Sequence, residues 1–319
     1  MRRLFAAVMT LVSIPALAQH VPIDSQLTPY TPTSGVSGSV KSMGSDTMNN
    51  LMAHWGEEFK RVYPNVKVEV EGKGSSSAPP ALIEGQVQFG PMSRAMKAKE
   101  IDDFEKKFGY KPTGLTVAID TLAVFVHKDC PLSEVTIEQL AKVFSVVGPD
   151  MTWDQIGVND PAYKGKLIGL YGRNSASGTY GYFKEHTLGG KDYKPSVKEQ
   201  PGSSAVVQAV ANDAFAIGYS GLGYKTAGVK ALKISPKTGQ PAIEPTLETA
   251  YSGDYPIARP LLVYVNFDSK TGLDPLRAEF VKMIYSRTGQ EGVVKDGYFP
   301  VTADLARDEL KKVGIKPSF

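Results

Sequence analysis

The chain has 319 residues, room for two domains of about 150 residues each, with 42% hydrophobic and 22% charged residues. A formal net charge of +3 excludes the strong field that draws polyanions or membrane surfaces. The single cysteine, Cys130, excludes an intramolecular disulfide, so stability must come from a conventional core.

Residues 1–18 read as an export signal. Arg2 and Arg3 form a basic n-region, residues 4–14 are apolar, and Ala16-Leu17-Ala18 suits cleavage before Gln19. The apolar run is too short to span a bilayer. Losing Arg2 and Arg3 takes 36 basic residues to 34, against 33 acidic ones. Residues 19–37, rich in Pro, Thr, Ser and Gly, predict an extended leader with no sustained hydrophobic period.

Residues 39–43 alternate like a short strand, Gly44-Ser45-Asp46-Thr47 makes a turn, and residues 48–63 carry apolar side chains near the helical period. Residues 66–70, VKVEV, predict a half-buried strand; Gly74-Ser75-Ser76-Ser77 then leads into a helix opened by Pro79. Neither dinucleotide nor P-loop spacing is completed there. A short strand at residues 87–90 precedes Pro91-Met92-Ser93-Arg94, and residues 97–108 form a charged helix. Residues 115–126, LTVAIDTLAVFV, suit a buried strand able to carry the chain from one domain to the next. Cys130 reads as a small packed residue. Thr136 caps a helix to residue 144, residues 153–156 lie in a loop region, and residues 203–212 are helical behind a Ser203-Ser204 cap. Residues 214–219 form a compact strand, residues 229–249 are turn-like, residues 261–265 form a return strand, and helices follow to residue 312.

The stretch 171–183, YGRNSASGTYGYF, is the chemical centre of this pattern. An apolar strand runs into it and a helix runs out. The turn between holds Ser177, Gly178 and Thr179, four residues after Arg173. The planar fork of Arg suits a tetrahedral oxyanion. A helix start offers unpaired N–H groups and partial positive charge. Taken alone, the stretch equally fits an ordinary cap beside a surface Arg. Its recurrence at residues 44–48 and 72–79 favours an anion site. Strands alternating with helices predict an α/β protein with largely parallel sheets, binding ligand beyond the strand C-terminal ends.

In order along the chain, GSDT at 44–47, GKGSSSAPP at 72–80, GPMSR at 90–94, RNSASGT at 173–179, AIGY at 216–219 and YPIARPLLVYV at 255–265 resemble the periplasmic phosphate-binding subunits of bacterial ABC-type phosphate importers. The resemblance implies a type II periplasmic-binding-protein fold: two domains, each a mixed, mostly parallel sheet flanked by helices, joined by a two-strand hinge. It puts residues 38–119 and 261–319 in domain I and residues 120–260 in domain II. It implies capture of inorganic phosphate in the interdomain cleft and delivery to membrane permease subunits, by a periplasmic monomer that needs no cofactor, metal or nucleic acid. Thr47 and the Met48 N–H would contact the ligand from the first turn and Ser75 from the second; Arg173, Ser177, Gly178 and Thr179 would form the opposite wall. Ser45, Asp46, Ser76, Ser93 and Arg94 complete the candidate set.

Two departures matter. The family commonly has a carboxylate where this chain has Ser93, and that carboxylate accepts the proton of hydrogen phosphate. Asp46 is the nearest substitute, unless it caps its own helix. The family also often has an Asp where this chain has Ser175, so Arg173 is expected to be less restrained. Two other readings stand: an exported phosphatase or hydrolase using Ser75 or Ser177, and a receptor for sulfate, molybdate or arsenate. Against the enzyme, His20, His54, His127 and His186 are scattered and no G-x-S-x-G elbow is present.

Overall fold

The computed structural model describes residues 21–319; the expected export signal and its cleavage site lie outside them. In chain order the strands are β1 (Ser39–Met43), β2 (Lys67–Glu71), β3 (Phe89–Met92), β4 (Thr113–His127), β5 (Glu134–Thr136), β6 (Gly169–Arg173), β7 (Lys198–Gln200), β8 (Ala216–Gly221), β9 (Val229–Ala231), β10 (Lys233–Ser235) and β11 (Ala258–Val265). The helices are α1 (Asn49–Val62), α2 (Ala78–Ile83), α3 (Ala98–Phe108), α4 (Ile137–Phe144), α5 (Gly178–His186), α6 (Ser203–Ala211), α7 (Leu247–Ser252), α8 (Pro275–Ile284), α9 (Arg287–Lys295) and α10 (Ala303–Lys312). The turn-like stretch expected at residues 229–249 thus contains β9, β10 and the start of α7. These strands are three residues each, too short for a period to register.

The main sheet has the order β2-β1-β3-β11-β4-β8-β6-β7, with β9 added on β4. Strands β1, β2 and β3 are mutually parallel, as are β6, β7 and β8, and β11 and β4 run antiparallel through the middle. Strand β4 is the long apolar run of the sequence. Its residues Thr113–Thr121 pair with β11 and its residues Leu122–Val126 pair with β8.

Two large cores flank this sheet. One gathers Val40, Leu51, Trp55, Phe59, Phe89, Ala118, Leu261 and Phe280; the other gathers Leu122, Phe144, Trp153, Phe183, Tyr219 and Ile257. We call the two halves lobe I and lobe II. Strand β4 changes core between Ala118 and Leu122, and the returning chain changes core between Ile257 and Leu261. Between those points Asp120 faces Arg259 in register. Cys130 packs in the lobe II core, where burial raises its thiol pKa.

Residues 21–37 of the leader have no helix or strand, yet they are docked along lobe I. Leu27 is buried in that core. The Asp24 carboxylate accepts from the first N–H of α10 at 2.9 Å, and Thr28 O accepts from the first N–H of α9 at 2.8 Å. Both bonds supply acceptors to helix starts that have no intrahelical partner. Among the described residues, no helix is long and apolar enough to cross a membrane.

Candidate functional site

Four strand-to-helix turns meet where the lobes face each other. Three leave the C-terminal ends of β1, β2 and β3 in lobe I; the fourth joins β6 to α5 in lobe II. The lobe I turns are tied together by backbone bonds, Gly74 N–H to Gly44 O at 2.7 Å and Ser45 N–H to Pro91 O at 2.7 Å. Their hydroxyls therefore sit at fixed positions.

Ser45, Ser75 and Ser93 form one hydroxyl cluster. Ser45 Oγ donates to Ser93 Oγ at 3.0 Å, Ser75 Oγ lies 3.3 Å from Ser93 Oγ, and Ser93 N–H donates to Ser75 Oγ at 3.0 Å. Lobe II presses directly on them. A Cβ at Gly178, the first residue of α5, would overlap the Ser75 and Ser93 hydroxyls. Only a hydrogen at this position permits the approach. Beside it Thr47 Oγ1 and Thr179 Oγ1 meet across the lobes at 3.0 Å. A second backbone crossing is Ser76 N–H to Ala176 O at 3.2 Å; Gly74, with φ +97°, lies against that same carbonyl.

Two arginines and two carboxylates complete the arrangement. Arg173 donates through Nη1 to Ser203 Oγ at 2.7 Å and through Nη2 to Pro201 O at 3.2 Å, and its Nη2 lies 3.1 Å from Asp46 Oδ2. Arg259 donates through Nε and Nη2 to Asp120 Oδ2 at 3.0 and 2.8 Å. It also donates through Nη1 to Ser93 O at 2.8 Å and through Nη2 to Thr179 Oγ1 at 2.9 Å. Thr179, Arg259, Asp120 and Ser93 are thus one network spanning both lobes. Apart from Asp46, these side chains are at most 2% exposed: Ser45, Thr47, Ser75, Ser93, Asp120, Arg173, Thr179, Ser203 and Arg259. Burial pushes the Arg173 pKa down and Asp46 opposes that shift.

Two buried atoms of this network have no protein partner, Arg173 Nε and Asp120 Oδ1. Leaving a buried polar atom unmet costs about 1–3 kcal/mol, so each such atom calls for a reason. One is a donor and the other an acceptor. The hydroxyls around them rotate, each able to donate to an incoming oxygen. The arrangement can hold a small oxyanion with many donors and can accept a hydrogen bond from it at one point. Its two Arg and two Asp side chains sum to zero charge, so the attraction comes from oriented hydrogen bonds rather than net charge.

Several expectations change. Arg94 does not join the cluster. It forks onto Glu100 at 2.7 and 2.8 Å, donates to Ala95 O at 2.8 Å, and of the candidate residues reaches only Ser76 Oγ, at 3.3 Å. Burial opposes ionisation of Glu100, but the Arg94 bonds and the Lys97 N–H outweigh it and lower that pKa. Ser76 is accordingly a rim residue. The Met48 N–H already donates to Ser45 O at 3.2 Å, and its side chain is in the lobe I core. Ser177 Oγ caps α5, accepting from Thr179 N–H at 3.1 Å. Asp46 does not cap α1, whose N-terminus has no side-chain cap. Nor is Arg173 unrestrained, because Asp46 of the other lobe stands in for the absent neighbouring acid.

Asp120 and Arg259 were missed as site residues. A signal existed: each is a lone charge inside an apolar strand, and a buried charge must find a partner. The partner and the direction in which the second carboxylate oxygen points are settled only by pairing β4 with β11. A recess of about 580 Å³ lies elsewhere, between β5, α4 and residues 156–159. Glu134 is the one charged residue lining it, so nothing there matches the convergence described above.

Two α/β lobes that close buried hydroxyls, arginines and a carboxylate over one point define a solute-binding receptor of the periplasmic-binding-protein type. The PBP superfamily domain matches residues 30–288, and the chain belongs to that family. It is 47% identical over 322 residues to the Pseudomonas aeruginosa phosphate-binding protein PstS, covering 99% of both proteins. A Clostridium perfringens phosphate ABC transporter substrate-binding protein, solved with bound phosphate, is 26% identical with a TM-score of 0.70. That match covers 83% of this chain and all of the other. An ABC-type phosphate transport receptor from Vibrio cholerae shares the fold at 23% identity and a TM-score of 0.65, over 82% of this chain and all of that one. These solved structures have the type II fold.

Proposed function

We propose that this protein captures inorganic phosphate between its lobes and delivers it to the membrane permease of an ABC transporter. The observation that carries the reading is the pairing of a donor-rich buried cluster with one unmet acceptor, Asp120 Oδ1. Phosphate near neutral pH is an oxyanion that still carries a proton. It has oxygens for the Ser45, Thr47, Ser75, Ser93 and Thr179 hydroxyls, the Gly178 N–H at the start of α5 and Arg173 Nε. It has one O–H for Asp120. Sulfate has no proton to give and would set its oxygen against the carboxylate. Thus Asp120, on the crossover strand, does the work assigned to the acid missing at Ser93.

Hydrogen bonds to a charged group contribute about 1.5–3 kcal/mol each. Several of them can offset the desolvation of a buried anion and leave a net near −8 kcal/mol, about micromolar. Closing the lobes excludes water and strengthens each bond. Residues 38–119 with 261–319, and residues 120–260, are the two moving bodies in this reading, hinged on β4 and the approach to β11. In this reading the ligand leaves unchanged, with Ser75 Oγ engaged by Ser93 and Ser177 Oγ capping α5. The chain works as a periplasmic monomer, exported and cleaved after Ala18.

Isothermal titration with phosphate, sulfate, molybdate and arsenate tests the ligand. Micromolar or tighter binding of phosphate, with sulfate much weaker, is expected. Absence of phosphate binding at micromolar concentration refutes the reading. N-terminal sequencing of protein from the periplasmic fraction tests the export.

A further inference from the structure

Helix α6 begins without a cap of its own. Its N-cap residue is Gly202, in extended geometry, and no side chain of its own turn bonds the helix start. Nine residues long, it exposes the usual unpaired N–H groups at that end. The acceptor comes instead from lobe I. Asp46 Oδ2 accepts from Ser203 N–H at 3.0 Å and from Ser203 Oγ at 3.3 Å. The same oxygen meets Arg173 Nη2 at 3.1 Å. Asp46 stands in the turn after β1, yet all these polar contacts of its carboxylate cross to lobe II. Tyr224 of lobe II also reaches back, its hydroxyl donating to Thr47 O at 3.0 Å.

We infer that Asp46 is a positioning residue that latches the lobes, serving in the closed form as the cap of α6 and the counter-charge of Arg173. Asp46 makes none of the contacts assigned to phosphate. A carboxylate at a helix start and against an arginine is favourable on two separate grounds. Neither ground involves a ligand, so the latch favours closure in the phosphate-free protein as well. In the open form Arg173 keeps only Ser203 Oγ and Pro201 O, and α6 is uncapped. Closure therefore fixes the Arg173 fork at the moment its Nε is needed. This inference rests on the phosphate reading only for its kinetic consequence. The conformational consequence stands without it.

The test uses the mature chain and its Asp46→Asn, Asp46→Glu and Asp46→Asn/Gly202→Ser variants. Stopped-flow measurement with inorganic phosphate should give at least tenfold faster release for Asp46→Asn, with association no slower. Asp46→Glu should recover part of the slow release. In Asp46→Asn/Gly202→Ser a cap is restored within lobe II, and Gly202 has the backbone angles for it. Its melting temperature should return toward that of the parent while release stays fast. A merely structural role would restore both together. Small-angle scattering of the phosphate-free proteins should show Asp46→Asn more extended than the parent.

Release at the parental rate together with an unchanged scattering profile overturns the latch. So does recovery of slow release by the added Gly202→Ser cap. If the parent fails to bind phosphate, the ligand reading falls, and the scattering comparison alone still decides the latch.

Discussion

Asp120→Asn exchanges one oxygen for an amide and leaves shape nearly unchanged. Asp120 Oδ2 accepts two bonds from Arg259, at 3.0 and 2.8 Å, and Oδ1 has no protein partner. Asn has a single oxygen, and the two Arg259 donors will hold it on their side. The amide NH2 then occupies the place of Oδ1 and turns an acceptor into a donor. Bound phosphate loses the acceptor for its proton, a charge-assisted bond of about 1.5–3 kcal/mol. The expected loss is about 10- to 150-fold in affinity. Sulfate, with oxygens only, gains a donor and should bind more tightly than it does to the parent. Removing the counter-charge of buried Arg259 will also lower the melting temperature. The decisive quantity is therefore the ratio of phosphate to sulfate affinity, to which a shared destabilisation contributes equally. Paired calorimetric titrations at neutral pH measure it. An unchanged ratio, whether both affinities fall or neither does, refutes the role given to Asp120.

Gly178→Ala should weaken phosphate binding more than tenfold, because the added methyl overlaps the Ser75 and Ser93 hydroxyls and holds the lobes apart; titration calorimetry reads this. Arg94→Ala should change affinity less than about threefold, since Arg94 forks onto Glu100 outside the cluster, while Arg259→Ala should abolish binding. Equal losses in the two variants would return Arg94 to the site. Asp296, with Oδ2 unpartnered where lobe I meets Gly223 and Tyr224, has its pKa raised from 3.8 to about 6 by burial. A raised acid pKa means the folded chain binds the proton more tightly. Stability is therefore lost as pH rises from about 4 to about 6, and the cost persists above that. Asp296→Asn should then be more stable than the parent by about 1 kcal/mol above pH ~7, after discounting for solvent exposure. That gain should vanish below pH ~4, as read from melting curves.

Much of this molecule was legible from its residues taken locally. The Met48, Leu51, Met52, Trp55 and Phe59 spacing foretold α1, Thr136 foretold the capping of α4, and the apolar run around Val117 and Val124 foretold β4. Such signals are short-range, because a helical period or a cap is written within one or two turns of chain. The small-residue turns at Ser45, Ser75 and Thr179 were visible for the same reason. What the local pattern could not assign was partnership between distant residues. Arg94 follows one strand and Arg259 stands in another, and only the packed structure brings the Glu100 carboxylate to 2.7 Å from the first and the Asp120 carboxylate to 2.8 Å from the second. Asp46 looked like a cap for its own helix and proved to serve a helix 157 residues away. A charge takes whichever counter-charge or helix end the fold brings within about 3 Å. That distance is set by strand pairing and lobe closure, not by neighbours in sequence.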